Sequence, residues 1–390
     1  MHGKNDPKSR ERKQTILNNM PQNPHIVTIG GSFGWVLTKV LAQKYTDWQF
    51  LFLMRDESKV AEARQNRSVD KFFGEKIRQL RKPNLFEKIR LPNNVLFFSL
   101  ADFRENFRGK INKLFIPAIS SNSLGKALKE IVADEVPHNA FQDCETLSVS
   151  KGMENSSLRF SHEVIDDILE VESVIGLGGN LAFDLVQGDP MLIELAGEPK
   201  RTARIADFFY GSSFNIFRTR NRRKLGLAGP MKNIHSLATG MGSEVYGNSS
   251  VATIATLGLA EYEHAAFIVQ FPQKYRSLAR KLQKIPFNFR SVPIGGGAMS
   301  DYHLFRFTRN FDAGQQLVKK LREGKTVNEA MAIISEDKTI ESFASTLPTR
   351  DFLRQMGTPS LIIEVMALIL SGKMQPEEGI RRITTNHSVF

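Results

Sequence analysis

The sequence predicts two domains, an alternating α/β domain followed by an all-helical one, and three observations carry that reading. Short, nearly uncharged runs rich in Val, Ile, Leu and Phe recur through residues 25–219, separated by charged stretches, as in a sheet whose strands are covered on both faces. Beyond residue 219 the runs stop, and apolar positions recur at helical spacing instead. The length of 390 residues is enough for two cores, and 41% hydrophobic with 24% charged residues is globular rather than disordered composition. These shifts draw a basic polar tail at 1–24, a sheet domain at 25–219 and a helical domain at 220–390.

Each element follows in order. Residues 25–44 read as a buried strand, a glycine turn and an amphipathic helix. Backbone N–H groups at such a helix N-terminus receive a pyrophosphate, so this is the opening of a Rossmann-type dinucleotide-binding domain, with Gly31, Ser32, Phe33 and Gly34 facing the cofactor. The fingerprint departs from its ideal: counted back from Gly34, Gly31 is the second glycine, Ile29 holds the first position, and Gly30 falls one place late. Residues 48–56 give a second strand, at whose end Arg55 could meet a 2′-phosphate and Asp56 could accept from a free 2′-hydroxyl, so NAD and NADP both stay open.

Residues 57–94 are charged and helical, and 91–94 turn into a strand at 95–100. A strand and loop at 113–122 and a strand within 145–154 follow, the latter stopping at Lys151-Gly152, where open α/β sheets bind ligands. A helix at 161–171, a glycine-rich loop at 176–182 and strands at 190–196 and 214–219 complete the first half. Helical patterning then covers 251–270, 313–321, 327–334, 360–370 and 376–383.

Composition narrows the function classes. The single cysteine, Cys144, excludes an internal disulfide framework and any multi-cysteine metal site, and no spacing of His and carboxylates resembles a metal-ligand set. The single cysteine fits a reducing compartment, so a cytoplasmic location is expected; no apolar run is long enough for a membrane span, and the first residues lack the apolar core of a secretory signal. The net charge of +12 favours anionic partners, among them nucleic acid and a phosphorylated metabolite, and charge alone does not choose between them.

Lys232 stands apart from the other lysines. It sits in residues 226–242 among Gly, Ala, Leu, Met and Ile, followed by Asn233, whereas most lysines here lie in charged runs. Desolvation lowers a lysine pKa toward neutrality, which suits proton transfer. His235, three residues on, shares the helix face and reads as packing or as a supporting partner.

Three segments together resemble the NAD(P)-dependent glycerol-3-phosphate dehydrogenases. Ser150-Lys151-Gly152-Met153-Glu154 is similar to that family's Lys-Gly-hydrophobe-Glu segment. Residues 226–242, continued by Tyr246-Gly247-Asn248 and Gly258-Leu259-Ala260-Glu261, are similar to its Gly-Ala-Leu-Lys-Asn helix and the motifs that follow it. Met299-Ser300-Asp301 with Thr308-Arg309-Asn310 is similar to its Gly-Asp-Leu and Ser-Arg-Asn pair.

The resemblance implies hydride transfer between NAD(P)H and dihydroxyacetone phosphate, feeding glycerol 3-phosphate to phospholipid synthesis. It implies Lys232 as general acid/base, Lys151 against cofactor and substrate oxygens, and Asp301 bonding the substrate or holding Lys232. Thr308, Arg309 and Asn310 would take the substrate phosphate, with Arg309 also near the cofactor. Gly178 and Asn180 would touch substrate, and Ala182 and Glu341 the cofactor. A homodimer is expected, with a small phosphorylated metabolite rather than nucleic acid as the partner.

Several positions depart from the family pattern: Ile29 and Gly179, Ser300 before the aspartate, Phe305, Ser342 after Glu341, and a basic surplus at 273–290. They keep two further readings open. One is a catalytically silent dinucleotide-binding protein that senses cofactor or binds a polyanion. The other is the same chemistry on another phosphorylated or carboxylated keto compound.

Overall fold

The computed structural model describes residues 20–81, 84–132, 136–178, 182–271, 273–277, 279, 308–336 and 339–385. The chain begins with β1 (Ile26–Gly30), α1 (Ser32–Lys44), β2 (Phe50–Met54), α2 (Glu57–Asn66), α3 (Asp70–Gln79) and α4 (Leu85–Ile89). Then come β3 (Val95–Ser99), α5 (Leu100–Asn106), β4 (Leu114–Ala118), α6 (Ser121–Val132) and β5 (Glu145–Ser148). A small hairpin of β6 (Met153–Glu154) and β7 (Arg159–Phe160) leads into α7 (Ser161–Leu169) and β8 (Val174–Leu177). Helix α8 (Ala182–Gln187), β9 (Met191–Ala196), α9 (Pro199–Phe209) and β10 (Phe214–Thr219) finish the sheet half. The described residues beyond it form α10 (Arg222–Tyr246), α11 (Asn248–Val269), α12 (Arg309–Arg322), α13 (Val327–Ile334), α14 (Glu341–Met356), α15 (Leu361–Leu370) and α16 (Pro376–Thr385).

Eight strands make one sheet in the order β10-β9-β8-β5-β4-β1-β2-β3. Neighbours are parallel except β8 and β9. Chain order reverses between β1 and β4, and the crevice outside the carboxyl ends of the strands at such a switch point is where open α/β sheets hold ligands. Alternation in β1 serves two cores: Ile26 packs with Trp35 of α1, Phe50 and Phe52, while Val27 and Ile29 pack with Leu51, Leu53 and Phe115 on the opposite face. The buried hydroxyl of Thr38 donates to that of Thr28 at 2.8 Å, which fixes α1 over β1 and so aims its N-terminus.

The structure adds elements that periodicity did not show. Residues 176–177, assigned above to a loop, belong to β8, a four-residue strand containing Gly176 that gains its ladder from β5 and β9. Helices α6, α9 and α14 and the β6/β7 hairpin were also not foreseen, since these segments take their conformation from tertiary packing more than from propensity.

In the second half α10 is the axis. Every residue from Leu225 to Gly242 is buried, so small and apolar residues on all its faces are required rather than one apolar stripe. Its entry is clamped to α7 by ion pairs of Arg222 with Asp166 at 2.6 Å and Arg223 with Glu163 at 2.6 Å. Against α12 the backbones nearly touch: a Cβ on Gly314 would stand 2.2 Å from the Leu237 carbonyl oxygen, and one on Gly240 would stand 2.0 Å from that of Phe311.

Candidate active site

Four strand ends meet at the sheet's carboxyl edge. After β1 only Gly31 intervenes before α1, and no side chain caps that helix and no acidic residue lies in its first turn. The N–H groups of Ser32, Phe33 and Gly34 are therefore donors without an intrahelical acceptor, at the end of a helix whose dipole favours an anion. A Cβ on Gly31 would meet nothing nearer than a Phe72 ring carbon at 4.0 Å, so the turn stands open to a ligand. A Cβ on Gly34 would come within 2.8 Å of the Ala118 side chain, so this glycine lets α1 close onto β4.

This arrangement fits a dinucleotide pyrophosphate despite Ile29. That residue continues β1, opposite Leu53 and Pro117, and its side chain is buried on the face away from α1. It does not face the turn, so the first glycine of the fingerprint is replaced by one more residue of strand.

Lys151 lies at the same edge, three residues beyond β5, and its Nζ donates to the Gly178 carbonyl at 3.3 Å, just beyond β8. The loop that carries it is held by three serine hydroxyls. Ser121 donates to the Lys151 carbonyl at 3.2 Å, Ser150 to that of Pro117 at 3.3 Å, and Ser161 to those of Ser150 and Gly152 at 3.3 and 3.2 Å. Gly152 has φ +124°, a backbone region that side-chain-bearing residues rarely adopt. The helical half touches this loop directly, since a Cβ on Gly229 of α10 would be 3.3 Å from the Lys151 Cβ.

One turn beyond Gly229 on α10 is Lys232, 5% exposed, in the middle of the helix and beside Asn233. Asn233 belongs to a closed set of hydrogen bonds that joins three helices. Its Nδ2 donates to Glu341 Oε2 at 2.6 Å, and its Oδ1 accepts from Asn310 Nδ2 at 3.1 Å. Asn310 Oδ1 accepts in turn from the N–H and hydroxyl of Ser342, at 3.2 and 2.7 Å. The carboxylate of Glu341 can only accept and Ser342 here donates twice, so both amides are held in one orientation from either end.

A turn further along α10, the Ser236 and Thr308 hydroxyls are 2.7 Å apart, and Thr308 caps α12 by accepting from Phe311 N–H at 3.4 Å. Arg309, the first residue of α12, is exposed. His235 faces the helical core: Glu261 lies 3.6 Å from its Nε2, and a Cβ on Gly258 would collide with its ring.

The structure thus brings Lys151 and Gly178 together at the sheet edge, with Gly229 against the Lys151 loop and Lys232 one helical turn on, and it brings Thr308, Asn310 and Glu341 to the helices around Asn233. Gly31, Ser32, Phe33, Gly34 and Arg55 lie on the sheet edge, and Ala182 opens α8. Asn180 and Asp301 lie outside the described residues, as do Gly179, Ser300, Phe305 and most of the basic surplus at 273–290. The sequence reading missed Asn233, Ser236 and Ser342 as members of the site. The available signal was polar side chains recurring at helical spacing inside an otherwise apolar helix.

Comparison with known proteins agrees with this architecture. The family model described as NAD-dependent glycerol-3-phosphate dehydrogenase N-terminus matches residues 25–203, and the model for the C-terminus of the same enzyme matches residues 224–381. A glycerol-3-phosphate dehydrogenase [NAD(P)+] of Leptospira biflexa is 24% identical over 362 residues, 90% of this chain and 95% of the relative. One from Staphylococcus carnosus is 22% identical over 357 residues, 90% of this chain and 94% of the relative. Among solved structures, glycerol-3-phosphate dehydrogenase of Coxiella burnetii superposes with TM-score 0.70 at 18% identity, covering 94% of this chain and all of its own. The Plasmodium falciparum enzyme gives TM-score 0.71 at 18% identity, covering 97% and 99%. With both halves matched in order along the chain, this protein belongs to the NAD-dependent glycerol-3-phosphate dehydrogenase family.

Proposed function

We propose that Lys232 is the general acid/base of the family's reaction, with Lys151, Asn233 and Asn310 arranging the substrate around it. The reaction is the NAD(P)-dependent interconversion of sn-glycerol 3-phosphate and dihydroxyacetone phosphate. The cofactor, when bound, supplies or accepts the hydride at C2. Reduction of the ketone leaves charge on its oxygen, and a positioned ammonium that gives up a proton there removes it; the oxidation uses the same group as base.

The observation that supports this reading is the contact of α10 with the Lys151 loop at Gly229, one helical turn from a buried Lys232. Burial excludes water from the proton transfer, and two cations near the substrate suit a phosphorylated ketone. Lys151 is also held by Gly178, and through it the sheet edge where the N-terminus of α1 would take the pyrophosphate. Arg309 and the hydroxyl of Thr308 are assigned the substrate phosphate, Arg309 because its planar fork can reach two oxygens at once. Asn310, whose carbonyl is filled by Ser342, orients Asn233 with one amide hydrogen and has the other to give to the phosphate. Asp301 and Asn180 are assigned to substrate, and Ala182 and Glu341 to cofactor, from the family resemblance. A division of labour at residue 220 belongs to the same reading: the last strand ends at Thr219 and α10 begins at Arg222.

The test is Lys232→Ala, followed by absorbance at 340 nm with dihydroxyacetone phosphate and NADH or NADPH. Turnover should drop by at least about 10³-fold while cofactor still quenches protein fluorescence, because loss of a general acid removes about 10²–10⁴-fold and the cavity left behind adds to it. A variant with wild-type turnover removes Lys232 from the mechanism. A wild-type chain that binds cofactor but turns over neither this ketone nor a panel of phosphorylated and carboxylated ones supports the silent dinucleotide-binding reading instead. We further assign a cytoplasmic homodimer. Among the described residues no helix is long and apolar enough to cross a membrane, and the single cysteine fits a reducing compartment. Light scattering on the purified chain tests the dimer.

A further inference from the structure

A second cavity lies at the amino edge of the sheet, the edge opposite Gly31 and Lys151. Trp48 precedes β2, Lys113 precedes β4 and Glu145 is the first residue of β5, and α9 closes the cavity with Arg201, Arg204 and Phe208. Its volume is about 600 Å³, within the range of about 300–1,000 Å³ that holds small organic ligands. None of the residues assigned above to cofactor or substrate lines it.

Glu145 is the anchor of this wall. The residue is 8% exposed, and its carboxylate accepts from Arg201 Nη1 at 3.1 Å and from Arg204 Nε, so one buried acid holds two guanidinium groups side by side. A guanidinium carries five N–H donors, and each of these uses one on Glu145. Arg201 is half-buried and Arg204 exposed, so the remaining donors of both forks are open to a ligand.

The charges of the wall favour an anion. Asp143 is paired with Lys110 at 2.7 Å, and Glu145 offsets one of its two arginines. Asp207 is the remaining acid, set against the second arginine and Lys113, whose ammonium makes no hydrogen bond or ion pair among the described residues. A phosphate accepts two parallel N–H bonds from one fork and keeps oxygens for a second fork and an ammonium. The cavity has room beyond a phosphate group, and part of its wall is aromatic, with Phe208 edge-on to Trp48 at 6.0 Å between ring centroids. That part suits the organic portion of a phosphate ester.

We propose that this cavity binds a small phosphate monoester, its phosphate on Arg201, Arg204 and Lys113 and its organic part against Trp48 and Phe208. The site is separate from the chemistry assigned to Lys232 and leaves the carboxyl edge free for cofactor and substrate.

Titration calorimetry of the full-length protein with phenyl phosphate and with inorganic phosphate tests it. Phenyl phosphate should bind about 10-fold more tightly, because only the ester reaches the aromatic wall. Lys113→Ala and Arg204→Gln should each weaken phenyl phosphate about 10-fold, the low end for a charge-assisted hydrogen bond at a partly exposed wall. Lys113→Ala should leave the melting temperature unchanged, which separates lost binding from lost folding. Arg309→Ala, at the phosphate position assigned above on the helical half, should leave this affinity unchanged, as should saturating NADPH. Equal affinity for the two anions overturns the ester in favour of free phosphate. No binding of phenyl phosphate, or binding that Arg309→Ala removes and Lys113→Ala and Arg204→Gln leave untouched, overturns the site; neither result bears on the role of Lys232.

Discussion

At the carboxyl edge of the sheet the groups offered to a ligand are backbone N–H donors of residues 32–34, capped by no side chain. In the helical half they are side chains, and those around Lys232 are each held by another side chain, from Glu341 through Asn233 and Asn310 to Ser342. The turn glycine and the two glycines between helices differ in the same sense. Gly31 has open space where its side chain would be, whereas Gly314 and Gly240 are filled to contact by the neighbouring helix. The sheet half therefore keeps a surface bare for a cofactor that brings its own charge and chemistry. The helical half excludes water and fixes polar groups, which a proton transfer needs.

Substitutions can break this contrast, the largest effect first. Gly314→Ala should cost about 3 kcal/mol or more, because its Cβ meets backbone that cannot rotate away, and the clash must be relieved by separating α10 from α12. Urea denaturation monitored by circular dichroism measures this, and a variant of wild-type stability would show that the helices are not in backbone contact. Asn233→Asp keeps an acceptor for Asn310 but replaces the amide donor to Glu341 with a second carboxylate, so kcat/KM should fall about 100-fold, the scale of a buried polar pair turned repulsive. Glu341→Gln in the same chain should recover part of the loss, and no recovery would mean that the pair is not coupled.

The seam between the halves carries a pH effect. His162 on α7 is buried, its Nδ1 makes no hydrogen bond, and burial, with Arg222 and then Arg223 nearby, holds its pKa down to about 3. The folded chain keeps this ring neutral while the unfolded chain protonates it near the ordinary value, so stability is complete above about pH 6.5 and is lost as pH falls from there toward 3. At pH 5 the loss is about 2 kcal/mol, the 1.5 units below 6.5 at about 1.4 kcal/mol each. His162→Leu should lose less stability than wild type between pH 7.5 and pH 5 by about that amount, as read by chemical denaturation at both pH values. Parallel losses would mean that His162 is protonated in the fold.

The smallest effect sharpens the contrast from the sheet side. Gly31→Ala adds one methyl group at a negative φ with room around it, so stability should hold while cofactor affinity falls about 10-fold, roughly 1.4 kcal/mol, through lost approach to the pyrophosphate. Fluorescence titration with NADPH measures it. A drop in melting temperature without loss of affinity would assign Gly31 to folding instead.

The sequence by itself determined the strand runs of the sheet half, the glycine turn into α1, the change to helical patterning near residue 220 and Lys232 as a lysine in apolar surroundings. These are local signals, set by side-chain periodicity and by the few residues that a tight turn admits. Tertiary structure decided which partners close on them. It showed that Ile29 extends a strand instead of spoiling the turn, and that Asn233, Asn310, Glu341 and Ser342 meet. Val174–Leu177 became a strand only because β5 and β9 flank it. Hydrogen bonds such as Asn310 to Asn233 join residues 77 apart in the chain, and no periodicity within a segment encodes a distance across the fold.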